Sequence, residues 1–147
     1  MARYHTEQPF TGPAARAFEY LADFTTVAEW DPGIVESTRL DGGPLGVGSR
    51  FRVVSQSGSR RIPFVYEVVA YDPPRSITLV GDSRRLHSVD EITVRQGDGG
   101  STVCYDADLT LRGPLRFLSP LLGLPFRKIG DRAAAGMRDA LDRLEVS

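Results

Sequence analysis

The feature that most constrains this chain is a change of hydrophobic period at Gly113-Pro114. Upstream, from Ile34, apolar and polar residues alternate in runs too short for helices, and glycine or proline clusters separate those runs. Downstream, Phe126, Ile129, Ala133, Met137, Ala140, Leu141 and Leu144 step by three or four, with charged residues filling the other side. A helix with one apolar stripe must bury it, and the only apolar surface large enough is one face of the preceding sheet.

The turn signals are Asp41-Gly42-Gly43-Pro44, Gly46 to Gly48, Ser57-Gly58-Ser59, Asp72-Pro73-Pro74, Gly81-Asp82-Ser83 and Gln96 to Gly100. They delimit strands at about 34–40, 49–56, 62–71, 76–81, 86–96 and 101–112, joined closely enough for an antiparallel meander. The last is the clearest, because Val103, Tyr105, Ala107, Leu109 and Leu111 alternate with Thr102, Cys104, Asp106, Asp108 and Thr110. Residues 3 to 11 read as an opening strand stopped by Gly12-Pro13. Proline then starts a short helix, with Ala14, Ala17, Phe18 and Leu21 at helical spacing, and a second helical turn runs from Thr25 to Trp30. The expected fold is therefore α+β, with seven antiparallel strands, one or two short helices after the first, and a long C-terminal helix.

At 147 residues, without a repeat, linker or low-complexity stretch, the chain is expected to form a single domain spanning 1–147. Its net charge of −1 supplies no field to gather a polyanion, so nucleic acid is a poor partner. One cysteine and two scattered histidines cannot form a disulfide or a structural zinc site, and neither a metal nor a cofactor is expected. The first eight residues lack the apolar run of a signal peptide, and no stretch approaches the roughly 20 apolar residues of a spanning helix. The expectation is a soluble, cytoplasmic protein, monomer or homodimer.

The order of elements resembles the helix-grip fold of the START-like, or SRPBCC, superfamily over essentially the whole chain. The residues that carry the likeness are Pro13 to Phe18 after the opening strand, Trp30-Asp31-Pro32, Tyr66-Glu67-Val68 running into Tyr71 to Arg75, and Gly100 to Tyr105 leading to Arg112-Gly113-Pro114-Leu115. The chain looks most like the small bacterial proteins of the polyketide cyclase/dehydrase type. That resemblance implies a cavity between sheet and long helix that holds a hydrophobic small molecule, aromatic polyketide-like or lipid-like. It supplies no catalytic motif that transfers residue by residue.

Within the sequence, the small residues of Gly130 to Gly136 leave either room for a ligand or a very close helix contact, so Ala133 and Met137 are candidate lining residues. Tyr66 and Tyr105 lie on apolar strand faces, where a hydroxyl would either bind a ligand or find a core partner. In the 86–96 strand, Leu86, Ser88, Asp90, Ile92 and Val94 form one possible inner set, which would place Ser88 and Asp90 inside; the opposite register leaves Asp90 on the surface. An inward Asp90 would have its pKa raised by desolvation and could act as acid or base, with Tyr66 and Tyr105 beside it. Trp30 would stack on a ligand or plug the core. The 113–126 segment, with Leu122 and Phe126, reads as a gate, a membrane- or subunit-docking patch, or simply the kinked start of the last helix. Three functions follow: a carrier of a hydrophobic molecule, a cyclase or dehydratase acting on a poly-β-carbonyl chain, or a non-catalytic interaction module.

Overall fold

The computed structural model describes residues 2–113 and 123–146. Seven strands run in the order expected from the turn signals: β1 (Ala2–Phe10), β2 (Ile34–Arg39), β3 (Arg50–Ser57), β4 (Arg60–Asp72), β5 (Ser76–Asp82), β6 (Leu86–Gln96) and β7 (Ser101–Leu111). They form one antiparallel sheet in the spatial order β1-β7-β6-β5-β4-β3-β2, so the meander closes by bringing the first strand beside the last. Irregular register between Ile34 and Glu36 and between Val68 and Ala70 adds local bend where the sheet curls.

Between β1 and β2 lie α1 (Ala14–Ala22), a 3-10 turn (Phe24–Thr26) and α2 (Val27–Trp30). Pro13 precedes α1 with φ −69°, pre-set for a helix start. The backbone N–H of Ala14, unpartnered within the helix, donates to the Gln96 side chain at 2.8 Å, so the end of β6 caps the helix. The apolar stripe Ala14, Ala17, Phe18, Leu21 is buried as the spacing predicts. Asp23 begins the 3-10 turn by accepting from the backbone and hydroxyl of Thr25.

The C-terminal helix α3 (Gly123–Val146) packs along β1 and against α2. Met137, Ala140 and Leu141 are fully buried from its expected stripe. Ile129, expected on the same stripe, is instead 47% exposed, because it stands at the rim of a cavity and not beneath the helix. On β7 one expectation also fails: Cys104, assigned to the wet face, is buried with its thiol 3.4 Å from Glu7 of the neighbouring strand. With seven curled antiparallel strands, two short helices and a long C-terminal helix, the fold is the helix-grip arrangement.

Candidate functional site

A cavity of about 280 Å³ lies between the concave face of the sheet and α3. Its apolar wall includes Phe24, Val27, Val53, Phe64, Ala107 and Met137. The small residues of α3 divide between the two roles open to them. Ala133 and Ala134 face the cavity, whereas Gly136 meets α2: a Cβ there would collide with the backbone carbonyl of Trp30. One glycine thus lets α2 and α3 touch, and the alanines beside it leave space.

The polar groups gather on the sheet side. On β6 the inner set is Leu86, Ser88, Asp90, Ile92 and Val94, which resolves the register in favour of an inward Asp90 that is only 3% exposed. Ser88 donates to Asp90 Oδ1 at 2.5 Å, and the phenol of Tyr105 donates to Oδ2 of the same carboxylate. Tyr66 arrives from two strands away. Tyr66 pairs with Gly81 and Gly81 with Ser88, and a Cβ on Gly81 would fall within the Tyr66 ring. The missing side chain lets that ring lie across β5 towards Ser88, whose hydroxyl interacts with the phenol. Phe24 and Phe64 hold the ring from its other sides, at 5.0 and 5.8 Å between centroids.

Trp30 is both part of the core and part of the cavity wall. Its ring is 2% exposed, lines the cavity and meets Tyr105 edge to face at 5.5 Å. Its neighbour Asp31 also lines the cavity, and sequence reasoning overlooked it. Asp31 sits in a turn where its Oδ1 accepts the Gly33 N–H at 2.8 Å, an ordinary task for aspartate that conceals a second one. The available signal was its adjacency to Trp30 at the end of a helical turn.

Burial governs the electrostatics. Desolvation pushes the Asp90 carboxyl up to about 6, against the lowering effect of the Ser88 and Tyr105 hydrogen bonds. Asp31 is likewise raised to about 6 by desolvation, opposed by its Gly33 bond and reinforced by the nearby charge of Asp90. The Tyr66 and Tyr105 phenols are pushed well above their ordinary value, first by burial and then by Asp90, so both remain protonated near neutral pH. The cavity therefore pairs two carboxyl groups able to change charge near neutrality with two phenols that only donate or accept hydrogen bonds.

Of the residues expected at the cavity, Trp30, Tyr66, Ser88, Asp90, Tyr105, Ala133 and Met137 all line it. Leu122 and the side chain of Phe126 lie outside the described residues, as does most of the 113–126 segment. His87, one of the two histidines, pairs through Nδ1 with Asp82 at 2.6 Å and is absent from the cavity wall. Arg84 and Arg85 are exposed in the turn before β6. No group of three or more metal-ligating side chains occurs among the described residues, and none of their helices is long and apolar enough to cross a membrane.

Comparison with known proteins agrees with this architecture. The START superfamily protein from Mycobacterium smegmatis superposes with a TM-score of 0.74 at 15% identity, covering 98% of this chain and 99% of that one. The Zhui aromatase/cyclase from Streptomyces sp. R1128 gives 0.63 at 17% identity over 98% and 86% of the two chains. TTHA0849 from Thermus thermophilus gives 0.73 at 13% identity over 99% and 96%. At such identities the likeness is one of fold. No curated protein sequence matches the chain. The family model described as "Polyketide cyclase / dehydrase and lipid transport" matches residues 1–146, and the chain belongs to that family.

Proposed function

We propose that this protein binds a hydrophobic small molecule, aromatic polyketide-like or lipid-like, in the cavity between sheet and α3, with the polar end of the ligand held at the Tyr66–Ser88–Asp90–Tyr105 cluster. The observation that carries this reading is the convergence of four polar side chains from three strands on one point of a largely apolar cavity. A filled core would not hold a desolvated carboxyl beside open space, since burying such a group costs free energy that packing alone does not return. The cavity's volume approaches the lower end of small-molecule sites, which begin at about 300 Å³.

Trp30 is the only tryptophan in the chain and forms part of the wall, so its fluorescence is a direct reporter. Titration with an apolar aromatic compound should shift or quench that emission saturably, and native mass spectrometry should show a one-to-one complex. Failure of a panel of apolar compounds to do either, with the protein folded, would refute a binding cavity.

The same cluster supports a second reading, cyclisation or dehydration of a poly-β-carbonyl chain. An ionised Asp90 would take a proton from the carbon between two carbonyls, while a tyrosine phenol donates a hydrogen bond to the developing enolate oxygen. The enolate carbon then bonds to a distant carbonyl carbon brought near by the cavity wall, and the resulting alkoxide takes back the proton held by Asp90. Loss of the second proton of the attacking carbon to Asp90 forms a C=C bond as the hydroxyl, protonated in turn, leaves as water. Mass loss of one water from a poly-β-carbonyl compound, dependent on Asp90, distinguishes this reading from simple carriage.

A further inference from the structure

The charges around the cavity are one-sided. Asp31 and Asp90 both face it, and no lysine, arginine or histidine belongs to its wall among the described residues. Asp90 is approached by Ser88, Tyr66 and Tyr105, all neutral, with the charge of Asp108 on β7 adding repulsion. Asp31 is approached by the Gly33 N–H and by Asp90. On its other side Asp31 borders a shallow groove shared with Glu29, Asp139, Arg132 and Arg143, and neither arginine forms an ion pair with it. The residues that α3 turns to the cavity beside this cluster are Ala133, Ala134 and Met137, none of which carries charge.

A second observation concerns hydrogen bonding. The indole N–H of Trp30 is buried without a partner among the described residues, although Trp30 lines the cavity. Oδ2 of Asp31 receives no hydrogen bond from the described residues. An unused donor and an unused acceptor thus occur on adjacent residues. A carboxylate could donate nothing to the free Asp31 oxygen and would lie beside two like charges in a low-dielectric enclosure. A hydroxyl both donates and accepts.

Building on the reading of the cavity as a ligand site, we propose that it selects hydrophobic molecules whose polar end is an uncharged hydroxyl, an alcohol or phenol, and rejects those ending in a carboxylate. Asp31 and Asp90 are the selecting groups, acting through their charge. The apolar wall accepts either ligand, so discrimination resides in these two residues.

The test uses a matched pair, 2-naphthol and 2-naphthoate, titrated into the whole protein at about pH 7.5, where naphthol is neutral and both aspartates are mainly ionised. Naphthol should bind at least about tenfold more tightly than naphthoate, a gap of about 1.4 kcal/mol. In the Asp31→Asn/Asp90→Asn protein that gap should close, chiefly because naphthoate gains. Should the double variant fail to fold, Asp31→Asn alone, which preserves an acceptor for Gly33, should narrow the gap. Equal affinities in the unaltered protein, or a gap that survives neutralisation of the aspartates, overturns the selection. Failure of both compounds and of unrelated apolar probes would instead remove the binding cavity itself, and the selection with it.

Discussion

Tyr105 and Asp90 meet on the diagonal of the β6–β7 ladder: Asp90 pairs with Ala107 and Ile92 with Tyr105, so the phenol reaches back one pair of residues to the carboxylate. Diagonal neighbours on one face lie close enough for an aromatic side chain to span. The small Ala107 directly opposite Asp90 leaves the carboxylate open to the cavity, and Trp30 packs against the Tyr105 ring. The pair thus sets a hydrogen-bonded carboxylate in the cavity wall.

Replacing Tyr105 by Phe removes a hydrogen bond that favours the charged carboxylate and leaves the ring contact with Trp30. The Asp90 pKa should rise further above about 6, with the carboxyl carbon followed by NMR titration. Affinity for a hydroxyl-bearing probe should change while the fold persists, because hydrogen bonds to charged groups contribute about 1.5–3 kcal/mol. A titration midpoint that stays put would show that the phenol does not hold the carboxylate.

The raised carboxyls make stability pH-dependent in an unusual direction. The folded Asp90 value of about 6 exceeds its ordinary 3.8, so the folded state holds the proton more tightly than the unfolded one. Its stabilising contribution is complete below about pH 4, declines as pH rises through 6, and is absent above. The difference is on the order of 3 kcal/mol. Asp31 acts in the same direction, whereas exposed Asp41, whose carboxyl is lowered by the Arg50 backbone and Arg39 bonds, acts oppositely. Urea unfolding of Asp90→Asn should therefore show a variant more stable than the parent at pH 7, with the advantage shrinking towards pH 4. An advantage independent of pH would contradict the raised value.

Strand order and most strand boundaries were legible because glycine or proline marks every turn but one, and the β7 alternation put Tyr105 and Ala107 on the concave face. The exception is β5–β6, where Gly81, expected in the turn, lies inside β5 and the turn is Ser83-Arg84-Arg85. The β6 register resisted reading because Ser88 and Asp90 occupy positions where a packed core would carry apolar side chains. Binary patterning fails where a polar group is needed inside, so the ambiguity itself marked the site. Asp31 escaped because its bond to Gly33 accounts for it as a turn residue. Gly81 escaped because its role depends on Tyr66 crossing a strand, which no local pattern encodes.

Gly136→Ala should destabilise the protein despite improving helix propensity by roughly 1 kcal/mol. The added Cβ would strike the Trp30 carbonyl, a backbone atom that cannot rotate aside, and overpacking of this kind typically costs about 1–3 kcal/mol. Because the contact joins α2 to α3, the loss should be accompanied by altered Trp30 fluorescence. Gly42→Ala, where a Cβ meets nothing within 4 Å, is the control and should leave the unfolding midpoint nearly unchanged. Equal behaviour of the two variants would mean that the helices separate without penalty.

Ala133→Phe tests whether the space beneath α3 is used. Ala133 lines the cavity one turn before Met137, and a phenyl group there would project into a volume of about 280 Å³. Apolar surface that fills an existing void stabilises at about 25 cal/mol per Å² removed from water, whereas the same change in a filled core would be destabilising by about 1–3 kcal/mol. The thermal midpoint should therefore hold or rise, while affinity for an apolar aromatic probe falls at least about tenfold, a loss of about 1.4 kcal/mol. The two readouts separate the alternatives. A lower midpoint with binding intact would place the ligand elsewhere, and a lower midpoint with binding lost would show only that the site cannot accommodate the ring.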